Sequence, residues 1–390
     1  MKTLVGTAES WIALVITRSL GRHGIKVDCA SKKKDSIAFH SRYCDRRLTY
    51  PDPLADEKAF VEQIISILAE DEYVLPYFTT EETLLPLSSA RKDVEKLTHL
   101  PIPSHESLSM AADKGHLMKV AMDAGIPCPK TRFPSSCEQA VEAGKELGYP
   151  LVMKPRQSSN SRGLSYCKSE GELRTNWEKT VKDFSNPILQ EFIPPGGGAY
   201  GLEAIYNRDS EVRASFVHKR LREFPITGGP STLRESVDHP KVRENGERLL
   251  SLLGWYGVGM VEFRQDPRDG IPKLMEINPR FWGSLALSVA SGVDFPYLLY
   301  KMVAEGDIEP VKDYKLGVQC RHFMKDLRHL RHVLQYGPAP GVSGRLGTLA
   351  SFLRLFGSDL HYDVISYSDP RPFVYEVREL LSRKLGEGGA

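Results

Sequence analysis

Residues 257–280 constrain the fold more than any other stretch of this sequence, because they contain two alternating apolar runs separated by the turn-forming segment 266–270. This composition and spacing predict a β-hairpin. A turn centred in that segment sets Glu262 opposite Glu276 across the two strands. Asn278 lies two residues beyond Glu276 and therefore shares its face of the sheet.

The predicted hairpin has one polar and one apolar face. Like charges directly opposite each other destabilise a sheet, so Glu262 and Glu276 need a compensating charge. Carboxylate and amide oxygens without Cys or His suit Mg²⁺ or Mn²⁺, which makes these two residues and Asn278 candidate metal ligands. The alternative is an exposed hairpin on which the glutamates pair with Lys273 and Arg264 across the ladder. The other face suits a packed core and carries Val261, Phe263, Leu274 and Ile277.

Length, charge and cysteine usage exclude several classes of protein. A chain of 390 residues is long enough for two or three domains. Its 52 basic and 50 acidic residues nearly cancel, so no global field favours nucleic acid. Six cysteines without a C-x-x-C pair favour a reducing cytoplasm over a disulfide scaffold. The apolar runs are too short to predict a membrane span or a signal peptide.

The N-terminal residues indicate an α/β unit. Residues 3–5 and 25–30 are predicted strands, and residues 10–21 between them form a predicted helix. The G-x-G-x-x-G fingerprint is absent after the first strand, so a dinucleotide-dependent dehydrogenase is disfavoured. The lysine triplet 32–34 is expected to lie in a solvated loop.

Lys154 lies where a phosphate group could meet it, whereas Lys114, taken alone, is expected to be a solvated helix residue. Lys114 is on a predicted helix over residues 107–124, which a Gly-Ile-Pro segment ends. Lys154 ends a predicted apolar strand, and a lysine at the exit of a buried strand must reach either water or an anion. The small polar loop 156–163 can wrap phosphate oxygens with its backbone N–H groups, although it lacks the Walker P-loop pattern.

Charged and glycine-rich segments follow two further predicted strands. Residues 186–194 form a strand that ends at a Pro-Gly break, and residues 212–218 form another. The second strand leads into K-R-x-R at 219–222 and then G-G-x-S at 228–231. This charged segment is either a surface loop or an active-site segment whose arginine forks bind carboxylate or phosphate oxygens.

Together, these motifs resemble the ATP-grasp superfamily of carboxylate–amine ligases, and its carbamoyl-phosphate-synthetase-like members in particular. The resemblance covers about residues 1–310. It implies a fold of mixed α/β and α+β class, with a Rossmann-like domain over 1–104 and an ATP-grasp domain over 105–310. A mobile lid subdomain is expected at about 120–190, and a mainly helical C-terminal extension over 311–390.

The resemblance also implies roles for individual residues. Mg²⁺ or Mn²⁺ is expected on Glu262, Glu276 and Asn278. ATP binding is expected of Lys114, Lys154, Ser158, Ser159, Gly163, Gln190, Glu191, Phe192 and Ile193, with Glu203 as a candidate ribose contact. Catalysis is expected of Arg280, Lys219 and Arg220. Substrate contacts are expected of Arg222, Gly228, Gly229, Ser231 and Ser284.

The implied reaction is phosphoryl transfer from Mg-ATP to a carboxylate, followed by attack of an amine on the acyl phosphate. Both substrates would be small molecules, nucleic acid has no part, and a homodimer is compatible with the resemblance. Two alternatives stay open. Bicarbonate could be the phosphorylated acid, as in carboxylases and carbamoyl-phosphate-type enzymes, or the chain could bind nucleotide without catalysis.

The C-terminal extension carries a weaker pattern. Cys320, His322, His329 and His332 could form a zinc site. An amphipathic helix with solvated histidines is favoured, because apolar residues recur at helical spacing at Phe323, Leu327, Leu330 and Leu334. Residues 346–356 are expected to pack on the body of the protein, with a partner or a membrane surface as the alternative.

Overall fold

The computed structural model describes residues 2–157, 162–226, 228–338 and 342–386, and this part of the chain forms three β-sheets. The predicted α/β and α+β class is confirmed. The N-terminal sheet is parallel, with strand order β3-β2-β1-β4. Its strands are β1 (Lys2–Val5), β2 (Lys26–Ser31), β3 (Cys44–Thr49) and β4 (Tyr73–Tyr77). Its helices are α1 (Trp11–Arg22), a 3₁₀ helix (Ile37–His40), α2 (Glu57–Ala69), α3 (Glu81–Ser89) and α4 (Arg91–Val94).

The predicted βαβ opening is confirmed within one residue at most ends. The Ser10 side chain accepts a hydrogen bond from the backbone N–H of Ile12 and so caps α1. Residues 3–5 of β1 and residues 12–20 of α1 are buried, as a parallel sheet covered by helices requires.

A second, smaller sheet has the strand order β5-β8-β6-β7 and is antiparallel. Two helices before it, α5 (His105–Ala112) and α6 (Lys114–Asp123), connect it to the N-terminal unit. Its core contains Leu151, Met153, Leu173, Trp177 and Leu189. The elements are β5 (Thr131–Arg132), α7 (Cys137–Leu147), β6 (Leu151–Lys154), β7 (Ser165–Cys167), α8 (Glu170–Asp183) and β8 (Ile188–Glu191).

The single helix predicted over 107–124 is wrong. Asp113 separates α5 from α6, because its backbone is extended and its side chain accepts hydrogen bonds from the N–H groups of Gly115 and His116. An aspartate that satisfies these free N–H groups begins a new helix. Lys114 is therefore the first residue of α6 rather than a mid-helix residue.

A seven-stranded sheet forms the centre of the molecule, with the strand order β13-β12-β9-β10-β11-β14-β15. One face packs on α6 and α9, and the other packs on the N-terminal unit and α10. The elements are β9 (Ala199–Tyr206), β10 (Val212–Glu223), β11 (Ser231–Ser236), α9 (Pro240–Leu252), β12 (Gly257–Gln265), β13 (Pro272–Asn278), α10 (Leu285–Ser291) and α11 (Phe295–Glu305).

The predicted hairpin register is confirmed. Strands β12 and β13 are antiparallel, and Glu262 is paired with Glu276. A bulge between Glu262 and Phe263 shifts the register toward the turn by one residue. The apolar face is buried as expected, with Val261, Phe263, Leu274 and Ile277 in one core.

The C-terminal residues add helices and also extend the central sheet. Strand β14 (Gln319–Arg321) pairs with β11, and β15 (Leu360–Tyr362) pairs with β14. The helices are α12 (Phe323–Tyr336), α13 (Arg345–Leu353) and α14 (Arg371–Gly386). None of the helices that the structure describes is both long and apolar enough to cross a membrane.

The buried face of α12 differs from the predicted one. Its buried residues are Asp326, His329, Leu330 and Val333, whereas Leu327 and Leu334 are exposed. The expectation of solvated histidines is wrong for His322 and His329, because both are buried. Across the described residues, no three His, Cys, Asp or Glu side chains gather as a metal-binding group, so the zinc alternative finds no support.

Candidate active site

The polar face of the hairpin lies against two cations. The Asn278 side-chain N–H donates to Glu262 Oε1 at 3.2 Å, and the Arg220 guanidinium contacts the other carboxylate oxygen of Glu262. Lys114 Nζ lies 3.8 Å from Glu276 Oε2. Among the described residues, neither Lys273 nor Arg264 forms an ion pair with Glu262 or Glu276, and Lys273 instead contacts Glu191 and Asp266.

The opposed glutamate affects the ionisation of Glu276. Burial and then the charge of Glu262 raise the pKa of Glu276, and the nearby cations only partly oppose this rise. Burial disfavours the charged form of Arg220, but Glu262, Glu223 and Glu276 outweigh it and raise the pKa of that guanidinium. Arg220 therefore supplies the compensating charge that the opposed carboxylates require.

Two lysines reach this site from different elements. Lys114 begins α6, whereas Lys154 ends β6. Burial, followed by the charges of Lys114 and Arg264, lowers the pKa of Lys154 to about 8, although Glu276 opposes this shift. An ammonium held among other cations in a buried place is a strong attractor for phosphate oxygens.

Asp113 connects the two lysine-bearing elements. Besides capping α6, its carboxylate accepts two hydrogen bonds from Arg156, at 2.8 and 2.7 Å. Burial opposes ionisation of Asp113, but the Arg156 and backbone hydrogen bonds outweigh it and lower the pKa. The backbone N–H of Lys114 also donates to the carbonyl of Arg156 at 2.9 Å. The positions of Lys114 and Lys154 are therefore coupled.

Arg280 lies at the end of β13 and is held by three groups. Its guanidinium donates to Asn278 Oδ1 at 2.9 Å and to the carbonyl of Phe281 at 3.0 Å. Its Nε lies 3.4 Å from Glu81 Oε1. Sequence reasoning missed Glu81, which begins α3 just beyond the carboxyl end of β4. That position was the available signal, because ligands of open parallel sheets bind at the carboxyl ends of the strands.

The predicted adenine strand is β8, and the side chains of its last two residues already have partners. Gln190 is buried and donates to Thr131 Oγ1 at 3.0 Å. Glu191 accepts from the backbone N–H of Lys130 and pairs with Lys273 and Arg268. These contacts hold β8 against the hairpin. The backbone of β8 is also paired, with β5 on one side and β6 on the other, so a nucleotide base would have to meet the residues that follow the strand, Phe192 and Ile193.

Four predicted site residues point elsewhere. Lys219 and Arg220 are consecutive on β10, so their side chains take opposite faces, and Lys219 lies over the Tyr200 ring at 5.7 Å. Arg222 is buried and bonded to Asp326 of α12, at 2.8 and 2.6 Å. Ser284 donates to Glu203 at 2.5 Å, and Glu203 also lies 3.0 Å from His218 Nδ1. Glu203 is fully buried, so the predicted ribose contact is wrong.

Glycines shape the loop that joins β10 to β11. Gly228 has φ 130°, and a Cβ on Gly229 would lie 2.2 Å from the carbonyl group of Phe224. These two positions therefore require glycine for the turn itself. Ser231 donates to the carbonyl of Leu233 at 3.2 Å. Ser158 and Ser159 lie outside the described residues, and Gly163, with φ 72°, packs near Pro155 and Phe184.

The donor set of the hairpin fits a hard divalent cation. Glu262, Glu276 and Asn278 offer only oxygen ligands on one face, and the repulsion between the carboxylates falls when a cation binds between them. Lys114, Lys154, Arg220 and Arg280 surround this set. The cationic side chains would attract the phosphates of a nucleotide, and the oxygen ligands would attract the metal ion that those phosphates carry.

Comparisons with known proteins agree with this geometry. A family model described as ATP-grasp in the biosynthetic pathway with Ter operon matches residues 214–325. The carbamoyl phosphate synthase large chain of Neisseria meningitidis serogroup B is 25% identical over 203 residues, which is 50% of this chain and 19% of that one. The chain thus spans about a fifth of the length of this curated relative.

Two solved structures share the fold. The biotin carboxylase of Campylobacter jejuni superposes with a TM-score of 0.67 at 20% identity, covering 81% of this chain and 74% of that one. The L-amino acid ligase of Bacillus licheniformis gives a TM-score of 0.61 at 18% identity, covering 80% and 78%. At such identities the likeness establishes the fold alone. Together with the sequence matches, it shows that the chain is similar to ATP-grasp proteins.

Proposed function

We propose that this chain is an ATP-dependent carboxylate–amine ligase that works through an acyl phosphate and needs Mg²⁺ or Mn²⁺. The observation that carries the proposal is the convergence of Lys114, Lys154 and Arg220 on the opposed pair Glu262 and Glu276. A site that combines these cations with two carboxylates can bind a nucleoside triphosphate and its metal ion together.

In this proposal, a carboxylate oxygen of the acid attacks the γ-phosphorus of ATP and ADP leaves. The amine nitrogen then attacks the acyl carbon, the bond to the phosphate oxygen breaks, and phosphate departs with that oxygen. The divalent cation would screen the phosphate charges and be held by Glu262, Glu276 and Asn278. Because the protein forms no bond to the substrates, its contribution is position and charge.

The cationic side chains have distinct proposed tasks. Lys114 and Lys154 bind the nucleotide phosphates, and Arg280 holds the transferring group and the oxyanion that forms when the amine attacks. Arg220 holds Glu262 in place. The backbone of residues 191–193 receives the adenine. Gly163, Gly228, Gly229 and Ser231 belong to the loops that would close over the substrates.

A screen of acid and amine pairs for ADP release tests the proposal. We expect release only when both partners and Mg²⁺ are present, and we expect Glu276→Gln to abolish it without lowering the melting temperature, because the substitution relieves repulsion. Full Mg-dependent ADP release by Glu276→Gln would refute the metal assignment. Release with bicarbonate alone would identify the carboxylase-type alternative, and ATP binding without any turnover would identify a non-catalytic nucleotide-binding protein.

A cytoplasmic location and a homodimer stay predictions from sequence. The cytoplasmic location fits the proposed reaction, since ATP and small-molecule substrates are available there. The domain limits at residues 104 and 310 stay predictions as well.

A further inference from the structure

The start of α1 meets the segment that follows Arg280. Trp11, the first residue of α1, donates from its indole nitrogen to the carbonyl of Gly283 at 3.2 Å. The buried Arg234 donates to the same carbonyl at 3.1 Å. Gly283 lies three residues after Arg280. This junction of N-terminal and C-terminal elements is therefore next to the proposed phosphoryl-transfer site.

Lys325 of α12 also reaches this junction. Its ammonium nitrogen lies 3.4 Å from the centre of the Trp11 ring. None of the carboxylates that the structure describes lies within ion-pair distance of it, and Asp363, the acid whose charge acts on it most, is engaged with Arg234. Burial, opposed by Asp363, lowers the pKa of Lys325 to about 8.

His322 supplies a second unmet polar group at the same place. Its side chain is 4% exposed, and its ring meets the edge of the Trp11 ring at 5.0 Å. Nε2 lies 3.6 Å from a carboxylate oxygen of Glu376, whereas Nδ1 is buried without a hydrogen-bond partner among the described residues. His322 Nδ1 and the Lys325 ammonium thus lie beside the same aromatic ring. A buried nitrogen without a hydrogen bond and an ammonium without an ion pair both cost free energy unless a ligand binds them.

We propose that Trp11, His322 and Lys325 form a binding site for an anionic group, a carboxylate or a phosphate, on one of the two substrates. This inference rests on the proposed ligase function only for the identity of the ligand. The ammonium supplies the charge and the indole holds it in place. The C-terminal extension would then set substrate specificity, and a substrate with a second acidic group would be preferred over its neutral amide.

Anion titration on the full chain tests the site without requiring catalysis. With Mg-ADP filling the nucleotide site, succinate and inorganic phosphate are titrated separately while tryptophan emission is recorded, because Trp11 lies directly under Lys325. We expect a saturable change with at least one of these anions. Succinate alone would indicate a carboxylate ligand, and phosphate alone a phosphate ligand.

Variants separate the proposed site from other anion binding. Lys325→Met should weaken the anion about tenfold or more, and Lys325→Arg should stay within about threefold of the wild type. Lys119→Met is a matched control, because Lys119 also stacks on an aromatic ring, that of Phe133 at 5.0 Å. It should change nothing. Mg-ATP affinity and melting temperature, measured on each variant, report on the nucleotide site and on folding.

The inference is overturned if neither anion gives a saturable response in the wild type, or if Lys325→Met binds as tightly as Lys119→Met. Both outcomes leave the ligase proposal intact, provided that ADP release still depends on an acid and an amine. Conversely, absence of ADP release with any pair would refute the ligase proposal while the anion site could still titrate.

Discussion

At the scale of residues, the free chain already neutralises its opposed carboxylates. Arg220 contacts Glu262, and Lys114 approaches Glu276, so each glutamate has its own cation. A metal ion carried by nucleotide phosphates would take over part of this role, and the freed cations could then turn to the phosphates. The two cations would thus contact the glutamates before nucleotide binds and the phosphates afterwards.

Arg280 offers the sharpest residue-scale prediction for catalysis. Its fork reaches Asn278, Phe281 and Glu81 at once, which a lysine cannot reproduce. We expect Arg280→Lys to keep ATP affinity and to lose roughly 10²-fold in kcat. The reason is that the contacts of the guanidinium with the transferring phosphoryl group and the oxyanion strengthen only as charge develops on them. Equilibrium ATP binding and steady-state kinetics on one preparation give both values. Normal kcat with ATP binding weakened tenfold would make Arg280 a nucleotide-binding residue instead.

His322 and Glu376 should make stability depend on pH with opposite signs. Burial lowers the pKa of His322 to about 3, so its contribution is present above the unfolded value near 6.5 and is lost as pH falls. Burial, then Asp363, raises the pKa of Glu376 to about 7, so its contribution grows as pH falls from 7. Lys325 and Arg234 also face His322 and disfavour its protonation.

Melting curves at pH 7.5 and 5.5 measure these two contributions. We expect His322→Asn to become less sensitive to acid than the wild type and Glu376→Gln to become more sensitive, each by about 1 to 2 kcal/mol over this interval. Equal pH profiles for both variants would show that the two groups do not titrate as their burial requires.

At the scale of elements, Asp113 links a helix to a strand. Its carboxylate caps α6 and binds Arg156 just beyond β6, which couples the elements that carry Lys114 and Lys154. We expect Asp113→Ala to weaken ATP binding about tenfold, because both lysines lose their mutual alignment. ATP titration measures this change.

Asp56→Ala is the matched control for that experiment. Asp56 caps α2 by accepting from the N–H of Ala59, and no contact that the structure describes joins it to the lysines. Each variant should lose about 1 kcal/mol of stability from its missing cap. If both weaken ATP binding equally, the effect comes from general loosening and Asp113 has no aligning role.

Local sequence rules predicted some elements well and others poorly. The register of β12 and β13 follows from a turn and a period of two. The break at Asp113 was missed because α5 and α6 share one apolar pattern, which hides the cap. Lys219 and Arg220 were both predicted in the site because their segment was expected to be a loop. The segment is part of strand β10, and consecutive residues of a strand point to opposite faces.

At the scale of the whole molecule, the C-terminal extension is bound to both other parts. Arg18 of α1 donates to Asp369, which also accepts from Ser41 and from the N–H of Arg42. Arg234 in the central sheet pairs with Asp363. Such contacts between distant segments were beyond sequence reasoning, because no local pattern indicates which buried arginine meets which aspartate. The burial of Asp326 and His329 on α12 was missed for the same reason.

Removing one of these ties should destabilise the chain strongly. Arg18 and Asp369 are both nearly fully buried, with side chains 5% and 1% exposed. We expect Asp369→Ala to lower the free energy of unfolding by about 3 to 5 kcal/mol, because it leaves a buried guanidinium uncompensated. Asp359→Ala breaks the exposed pair with Arg354 and should leave the free energy of unfolding nearly unchanged. Urea denaturation measures both values. An equal loss of unfolding free energy in the two variants would contradict a stabilising buried ion pair between Arg18 and Asp369.

The central claim is that the acid is activated as an acyl phosphate, and oxygen transfer tests it most directly. The acid identified by ADP release is labelled with ¹⁸O in its carboxylate, and the released phosphate is analysed by mass spectrometry. Our account predicts one ¹⁸O atom in each phosphate formed with the amine present, because the bridging oxygen leaves with phosphorus. Unlabelled phosphate, released at the same rate as the amide, would contradict it.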